Sequence, residues 1–336
     1  MKKIRESPFI FEDAVPLDKF FDRDEEIDFL VNNLESGKRK LLICIIAPLK
    51  YGKTSLMLKY LDILRHYPEI IPIYVNLKDV EKPIWFIVCE LLKRNIDLRK
   101  CYEESLKSGM LRNFFEELDK VLRKRNQWLF LLFDEFHLLP DLIRNEGFLR
   151  NFSDKLIFSF FRGYAEGRRI SYIICGSVIE LLMHAIDVWG GRFQIIYLGP
   201  FERKHAIEMI KKLFCEGGIE LDDEIAENIA DAAGYHPFYI QYMGHHIYMM
   251  GEVSRRTIIK AKEKLYEFLS PIFDTYLRRI LKLGQRYLET LKKIIQNKPL
   301  SLEERIIALE MYRVGLLKPR NSRYEIIDPL FKRYIE

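Results

Sequence analysis

Long hydrophobic runs are missing. The two most apolar stretches, Leu41 to Pro48 and Trp128 to Phe133, fall far short of the roughly 20 residues a membrane-spanning helix needs. No membrane segment is expected. Behind Met1-Lys2-Lys3 come charge and proline rather than an apolar core, so no secretory leader is expected either. Cysteine is sparse: Cys44, Cys89, Cys101, Cys175 and Cys215 are scattered, with no pair at metal-ligand spacing. Cys44 and Cys175 lie inside apolar runs and read as buried reduced thiols. Together these features point to a cytoplasmic protein. A large excess of one charge is also lacking. The net charge is +5, too modest to announce a nucleic-acid partner. From Gly284 onward, however, eleven Lys/Arg face seven Asp/Glu, so most of that excess sits in the last segment. Neither internal repeats nor low-complexity tracts occur.

What is present suits a globular chain with real cores, 49% hydrophobic and 31% charged over 336 residues, enough for two or three domains. Five short runs rich in β-branched residues read as buried strands: Leu41–Ala47, Ile71–Asn76, Trp128–Phe133, Ile170–Cys175 and Gln194–Leu198. Long helical stretches separate the first four. Continuous apolar strands alternating with helices mark an α/β fold with a parallel sheet covered on both faces. Past Pro200 the period changes to that of helices, as in Ala206, Met209, Ile210 and Leu213. The tail changes again. Leu288, Leu291 and Ile295 suit one helix and Leu302, Ile306 and Leu309 another, before two extended pieces, Leu316–Lys318 and Tyr324–Ile327, joined by Arg320-Asn321-Ser322. Helix, helix, hairpin is the order of a winged helix-turn-helix. The expected organisation is a core over residues 1–200, a helical lid over 201–270 and a winged-helix domain over 271–336.

The sharpest pattern is Ala47-Pro48-Leu49-Lys50-Tyr51-Gly52-Lys53-Thr54, with Ser55 next, directly after the first strand and before a helical run. This is the Walker A pattern with Ala in place of its first Gly. A tight strand-to-helix loop turns successive amides inward and makes an anion cradle. Gly52 allows close approach of backbone to phosphate, Lys53 reaches the β- and γ-phosphates, and the Thr54 hydroxyl suits Mg2+. The expected ligands are therefore ATP and Mg2+. A chance match is the plain alternative, and the strand–loop–helix setting argues against it.

A second pattern supports the first. The apolar run Trp128–Phe133 ends in Asp134-Glu135, the Walker B arrangement. Asp134 is expected to hold Mg2+, and Glu135 to polarise the attacking water as general base. An acidic pair can also merely end a strand, but not so readily downstream of a phosphate loop. Asp134-Glu135-Phe136-His137 also spells a helicase tetrad. No second core accompanies it, so His137 reads as local structure.

With these motifs in place the chain resembles the archaeal ATPase family, near the AAA+ and STAND P-loop ATPases, over almost its whole length. Phe21-Asp22-Arg23-Asp24-Glu25-Glu26-Ile27 is similar to that family's opening motif beside the adenine pocket. The resemblance implies that Arg23 lines the nucleotide, or else pairs with a neighbouring acid. It implies that Ser177, in Cys175-Gly176-Ser177, is a sensor of the γ-phosphate, or else a helix N-cap. Arg192, after Gly191, is then a finger or sensor, or else part of a structural ion pair. His236 and Pro237, in Gly234-Tyr235-His236-Pro237, resemble the lid element at the nucleotide, or else simply break a helix. Gly199-Pro200-Phe201 matches the hinge into the lid, and Asp328-Pro329-Leu330-Phe331 the family's C-terminal end. Adenine rather than guanine follows from the resemblance, since no Asn-Lys-x-Asp element is present.

Three functions remain open at this point. One is a nucleotide-driven ATPase switch, coupled through the winged helix to DNA or a protein partner, that works as a homo-oligomer if Arg192 serves a neighbouring subunit. Another is an ATP-gated DNA-binding protein, initiator- or regulator-like, with Lys318, Arg320 and Arg323 on the wing. Against it, the expected recognition helix carries Glu303, Glu304 and Glu310. A P-loop kinase is the third, and leaves Glu135 and the tail without a task.

Overall fold

The computed structural model describes residues 6–36, 41–165, 168–176, 194–313, 315–320 and 323–336. The chain divides into two compact units, one of residues 23–46 and 56–196, the other of residues 1–22, 47–55 and 197–336.

The first unit is built on a sheet. Its strands are β1 (Leu42–Ile46), β2 (Ile70–Asn76), β3 (Trp128–Asp134), β4 (Ile170–Cys175) and β5 (Gln194–Tyr197). Their spatial order is β2-β3-β4-β1-β5, and the β2/β3, β3/β4 and β4/β1 pairs are parallel. Every residue from Leu129 to Phe133 and from Ile170 to Cys175 is buried. That is why these strands read as unbroken apolar runs rather than alternating ones. The register sets Ile45 opposite Cys175 and Phe133 opposite Ile174, so β1, β3 and β4 end along one edge of the sheet.

Helices α1 (Asp24–Glu35), α2 (Lys53–Leu64), α3 (Pro83–Leu92), α4 (Arg99–Ser108), α5 (Leu111–Lys124), α6 (Leu139–Glu146) and α7 (Asp154–Ala165) connect the strands. Helix α5 shows why they settle there. It buries Leu111, Phe114, Phe115, Leu118 and Leu122, one stripe at helical spacing with charged residues opposite. Phe161 of α7 lies edge-on to Phe115, Phe133 and Tyr172 and joins this stripe to the sheet. Glu146 closes the corner between α6 and α3. Its carboxylate, 5% exposed, accepts the Ile84 amide at 2.9 Å, the Trp85 amide at 2.7 Å and the Tyr102 hydroxyl at 3.0 Å. A helix that starts with Pro83 has loose N–H groups at its first turn, and a buried acid satisfies them.

The second unit is mostly helical: α8 (Arg203–Glu216), α9 (Asp223–Ala232), α10 (Pro237–Met250), α11 (Arg255–Leu283), α12 (Gln285–Ile295), α13 (Leu302–Arg313) and α14 (Pro329–Ile335). Between α13 and α14 the antiparallel hairpin β6 (Leu317–Arg320) and β7 (Arg323–Ile326) repeats the helix–helix–hairpin order expected of the tail. Ser254 and Thr257 form a reciprocal cap at the start of α11. Residues 6–22 lie on α8 and α10. Phe9 sits edge-on to Phe214 with 4.8 Å between ring centroids, and the Ile10 amide donates to Gln241 Oε1 at 2.9 Å. Gly244 makes room for this segment, because a Cβ there would stand 2.2 Å from the Phe9 ring. Phe331 of α14 meets Phe273 and Tyr276 of α11, with centroids 5.3 and 5.7 Å apart.

Candidate functional site

The loop that leaves β1 at Ala47 enters α2 at Lys53. Lys50 and Gly52 have positive φ, 67° and 87°, so the backbone reverses curvature twice within three residues. Lys50 bears that conformation at some cost. Gly52 bears it freely, and a Cβ added there would meet no atom within 4 Å; its backbone angle, not crowding, calls for glycine. Lys53 turns its ammonium back into the loop, donating to the carbonyls of Ala47 at 2.9 Å and Pro48 at 2.8 Å. Thr54 and Ser55 follow in the first turn of α2, which holds no acidic residue. The positive end of this 12-residue helix is therefore not offset by a local carboxylate. Amides at a helix start, an ammonium and a hydroxyl form a donor set that fits a polyphosphate.

The loop's own side chains point elsewhere. Tyr51 is fully buried, its ring centroid 4.0 Å from that of His236. His236 caps α10, its Nδ1 accepting the Phe238 amide at 3.2 Å, and stacks on Tyr239 at 3.7 Å. Pro237 takes the first position of α10, where a missing N–H costs nothing. The structure thus sets His236 against the loop, on Tyr51. The Lys50 ammonium stands 4.8 Å over the Phe238 ring, and the Leu49 amide donates to the Tyr276 hydroxyl at 2.9 Å.

In the sheet unit, Asp134 closes β3 and is 5% exposed. Both its oxygens are engaged. Oδ1 accepts the Cys175 thiol and the Glu135 amide, at 2.8 and 2.9 Å, and Oδ2 accepts the Tyr74 hydroxyl at 3.1 Å. Burial, and then the charge of Asp134, push the Tyr74 phenol well above its ordinary range, so it stays a donor. Neighbouring strands β2 and β4 therefore orient this carboxylate, as outer groups orient a metal ligand. Hard oxygen donors such as Asp134 and Thr54 suit Mg2+. Glu135, just past the strand, sits in the left-handed region with φ 53°, an uncommon state for glutamate. It pairs with the Lys78 ammonium and lies 3.5 Å from His137 Nδ1.

Arg23 is buried at the start of α1, with φ 78°, and meets Glu26 at 3.4 Å. Ser177, Gly191 and Arg192 lie outside the described residues. Sequence reasoning took Cys175 only as a buried thiol and did not single out Tyr74, Lys78 or Tyr276; their places relative to the motifs differ. The first three stand at or near strand ends beside Asp134-Glu135, a position that could have drawn attention to them. Tyr276 carries no such signal. On the β6–β7 hairpin, Lys318 and Arg320 both pair with Glu325, at 2.8 and 2.7 Å. Helix α13 turns Leu302, Ile306 and Leu309 outward, at 76%, 54% and 37% exposure.

A family model described as an ATPase domain predominantly from Archaea matches residues 20–243. Among solved structures, the Walker-type ATPase PABY2304 of Pyrococcus abyssi is similar at 16% identity, covering 98% of this chain and 99% of that one, with a TM-score of 0.66. The ORC2 protein of Aeropyrum pernix, solved with ADPNP and ADP, is similar at 14% identity, covering 96% of each chain, with a TM-score of 0.55. At these identities the likeness speaks for the fold. No curated protein matches the chain.

Proposed function

Because this chain belongs to the ATPase domain family found predominantly in Archaea, we propose that it binds Mg·ATP, hydrolyses it, and uses the cycle as a switch acting through its C-terminal elements. The observation that carries this reading is the loop from Ala47 to Thr54. Its lysine already lies inside the turn on two loop carbonyls, and its glycine holds an angle that a side chain resists.

In this reading the amides of the loop and Lys53 take the phosphates, replacing the two carbonyls that now hold the ammonium. Thr54 and Asp134 hold Mg2+, which supplies charge stabilisation at the phosphates. Glu135 takes the proton of the attacking water, and to do so it must part from Lys78. The lysine of that pair is 58% exposed and the glutamate 18%, so water can take over the ammonium when the two part. Arg23, Ser177 and Arg192 keep their roles as adenine-side, sensor and finger residues, and Arg192 from a neighbouring subunit would make the enzyme a homo-oligomer.

For the output, two observations favour a protein partner over DNA. The apolar stripe Leu302, Ile306 and Leu309 is exposed on α13, and two of the wing cations are already paired. Phosphate release from ATP into water, followed across a protein concentration series without any added acceptor, tests the reading. Release at a rate per subunit that rises with concentration supports hydrolysis by an assembled enzyme. Absence of any phosphate release would remove the ATPase, and a parallel series with an added acceptor, consuming ATP only there, would make the protein a kinase.

A further inference from the structure

We infer that Tyr276 and Tyr51 are positioning residues for the phosphate loop, and that through them the elements after residue 235 set how tightly the loop holds a nucleotide. The inference rests on the nucleotide reading above and adds its regulation.

The loop opens with Ala47-Pro48 in place of a glycine. Proline has no N–H, so Leu49 offers the first amide after Ala47, and that amide donates to the Tyr276 hydroxyl at 2.9 Å across 227 positions of sequence. Two residues on, the Tyr51 side chain is enclosed. Its ring meets His236, and its hydroxyl lies 3.5 Å from the Ile327 carbonyl. The chain of contacts continues. His236 stacks on Tyr239, and the Tyr239 hydroxyl donates to Asp328 Oδ2 at 2.6 Å. Asp328 Oδ1 in turn accepts the amides of Leu330 and Phe331 at 2.9 and 3.0 Å, which starts α14. Phe331 closes the circuit on the Tyr276 ring.

Residues 49 and 51 are thus tied to α10, α11 and the segment after β7, all in the same compact unit as the loop. Close-packed side chains do not deform continuously, so a change in the loop's curvature must move Tyr276 or Tyr51, and their partners with them. Such coupling is reciprocal: a nucleotide that sets the loop also sets α11 and α14, and a partner on those helices alters nucleotide affinity.

The test compares wild type with Tyr276→Phe, which deletes one hydroxyl and keeps the ring on Phe331. Three quantities are read: affinity for Mg·ATP and Mg·ADP by calorimetry, hydrogen exchange in residues 271–283 and 323–336 with and without nucleotide, and the melting temperature without nucleotide. In wild type, saturating Mg·ATP should slow exchange in both segments. The variant should bind about three- to tenfold more weakly, the range of one lost neutral hydrogen bond. It should also lose the exchange response in 271–283 at saturating nucleotide. Tyr51→Phe, read the same way, serves if the first variant does not fold. Unchanged affinity together with an unchanged exchange response overturns the inference, whether or not the melting temperature falls. A wild-type chain that binds no nucleotide overturns the underlying reading instead.

Discussion

In the proposed function Lys53 serves binding and Glu135 serves turnover, and single substitutions test the two roles separately. Lys53 is the one loop residue whose ammonium lies within the turn, on the carbonyls of Ala47 and Pro48. Lys53→Ala should therefore weaken Mg·ATP by at least about a hundredfold, since a charge-assisted contact to phosphate has no substitute there; titration calorimetry reads this directly. Glu135→Gln keeps size but removes the proposed base. Affinity should hold within about threefold, while phosphate release falls by roughly 100-fold or more, the usual scale of a lost general base. Wild-type turnover in that variant would sink the assignment. Both residues stand out in the sequence because their motifs are contiguous. The groups that orient Asp134 stand out less: Tyr74 and Cys175 reach it only because β2 and β4 flank β3. Burial pushes the other strand thiol, Cys44, up to about 12, so it stays protonated and inert, as its apolar run implied.

Among the elements, the strands were the most readable. Five apolar runs became five strands within a residue at their ends; in β3 and β4 burial on both faces leaves no alternation to confuse the pattern. The join between α6 and α3 was not readable. Glu146 appears in sequence as one acid among many, and only the fold buries it on two amides and a phenol. Glu146→Gln should lower unfolding free energy by about 2–3 kcal/mol, because the amide group cannot accept all three donors. Burial raises the Glu146 pKa above its ordinary value, with the donors from Ile84, Trp85 and Tyr102 opposing. The folded state therefore holds this proton more tightly than the unfolded chain. That contribution to stability is full below the ordinary glutamate range, about 4.3, and fades as pH rises through the raised value. Denaturant titrations of wild type and Glu146→Gln should converge in that window as pH increases. A difference between them that stays flat from about pH 4 to 7 would contradict a raised pKa.

At the scale of the whole molecule, the division by sequence order and the division by contacts carry different information. Composition and period follow the chain, and they separate a sheet region from helices and a hairpin tail. They cannot show that residues 47–55 keep company with residues 197–336, since Tyr51 and Tyr276 find their partners hundreds of positions away. The charge distribution raises a similar difficulty. A count gives the tail a basic excess, but Glu325 holds Lys318 and Arg320, Glu303 holds Arg286, and Glu304 holds Lys293. Counterion release depends on cations available to phosphate, not on the sum. Duplex DNA should accordingly be retained weakly in a filter assay, even at low salt. Glu325→Gln tests whether the β6–β7 hairpin is a latent phosphate contact. Freeing two cations should steepen the dependence of log affinity on log salt by about one to two units and strengthen retention several-fold at low salt. If the variant and wild type share one salt slope, the hairpin does not meet phosphate. The outward stripe of Leu302, Ile306 and Leu309 then becomes the stronger candidate for what the tail engages, because exposed apolar side chains in a row favour another protein surface over a polyanion.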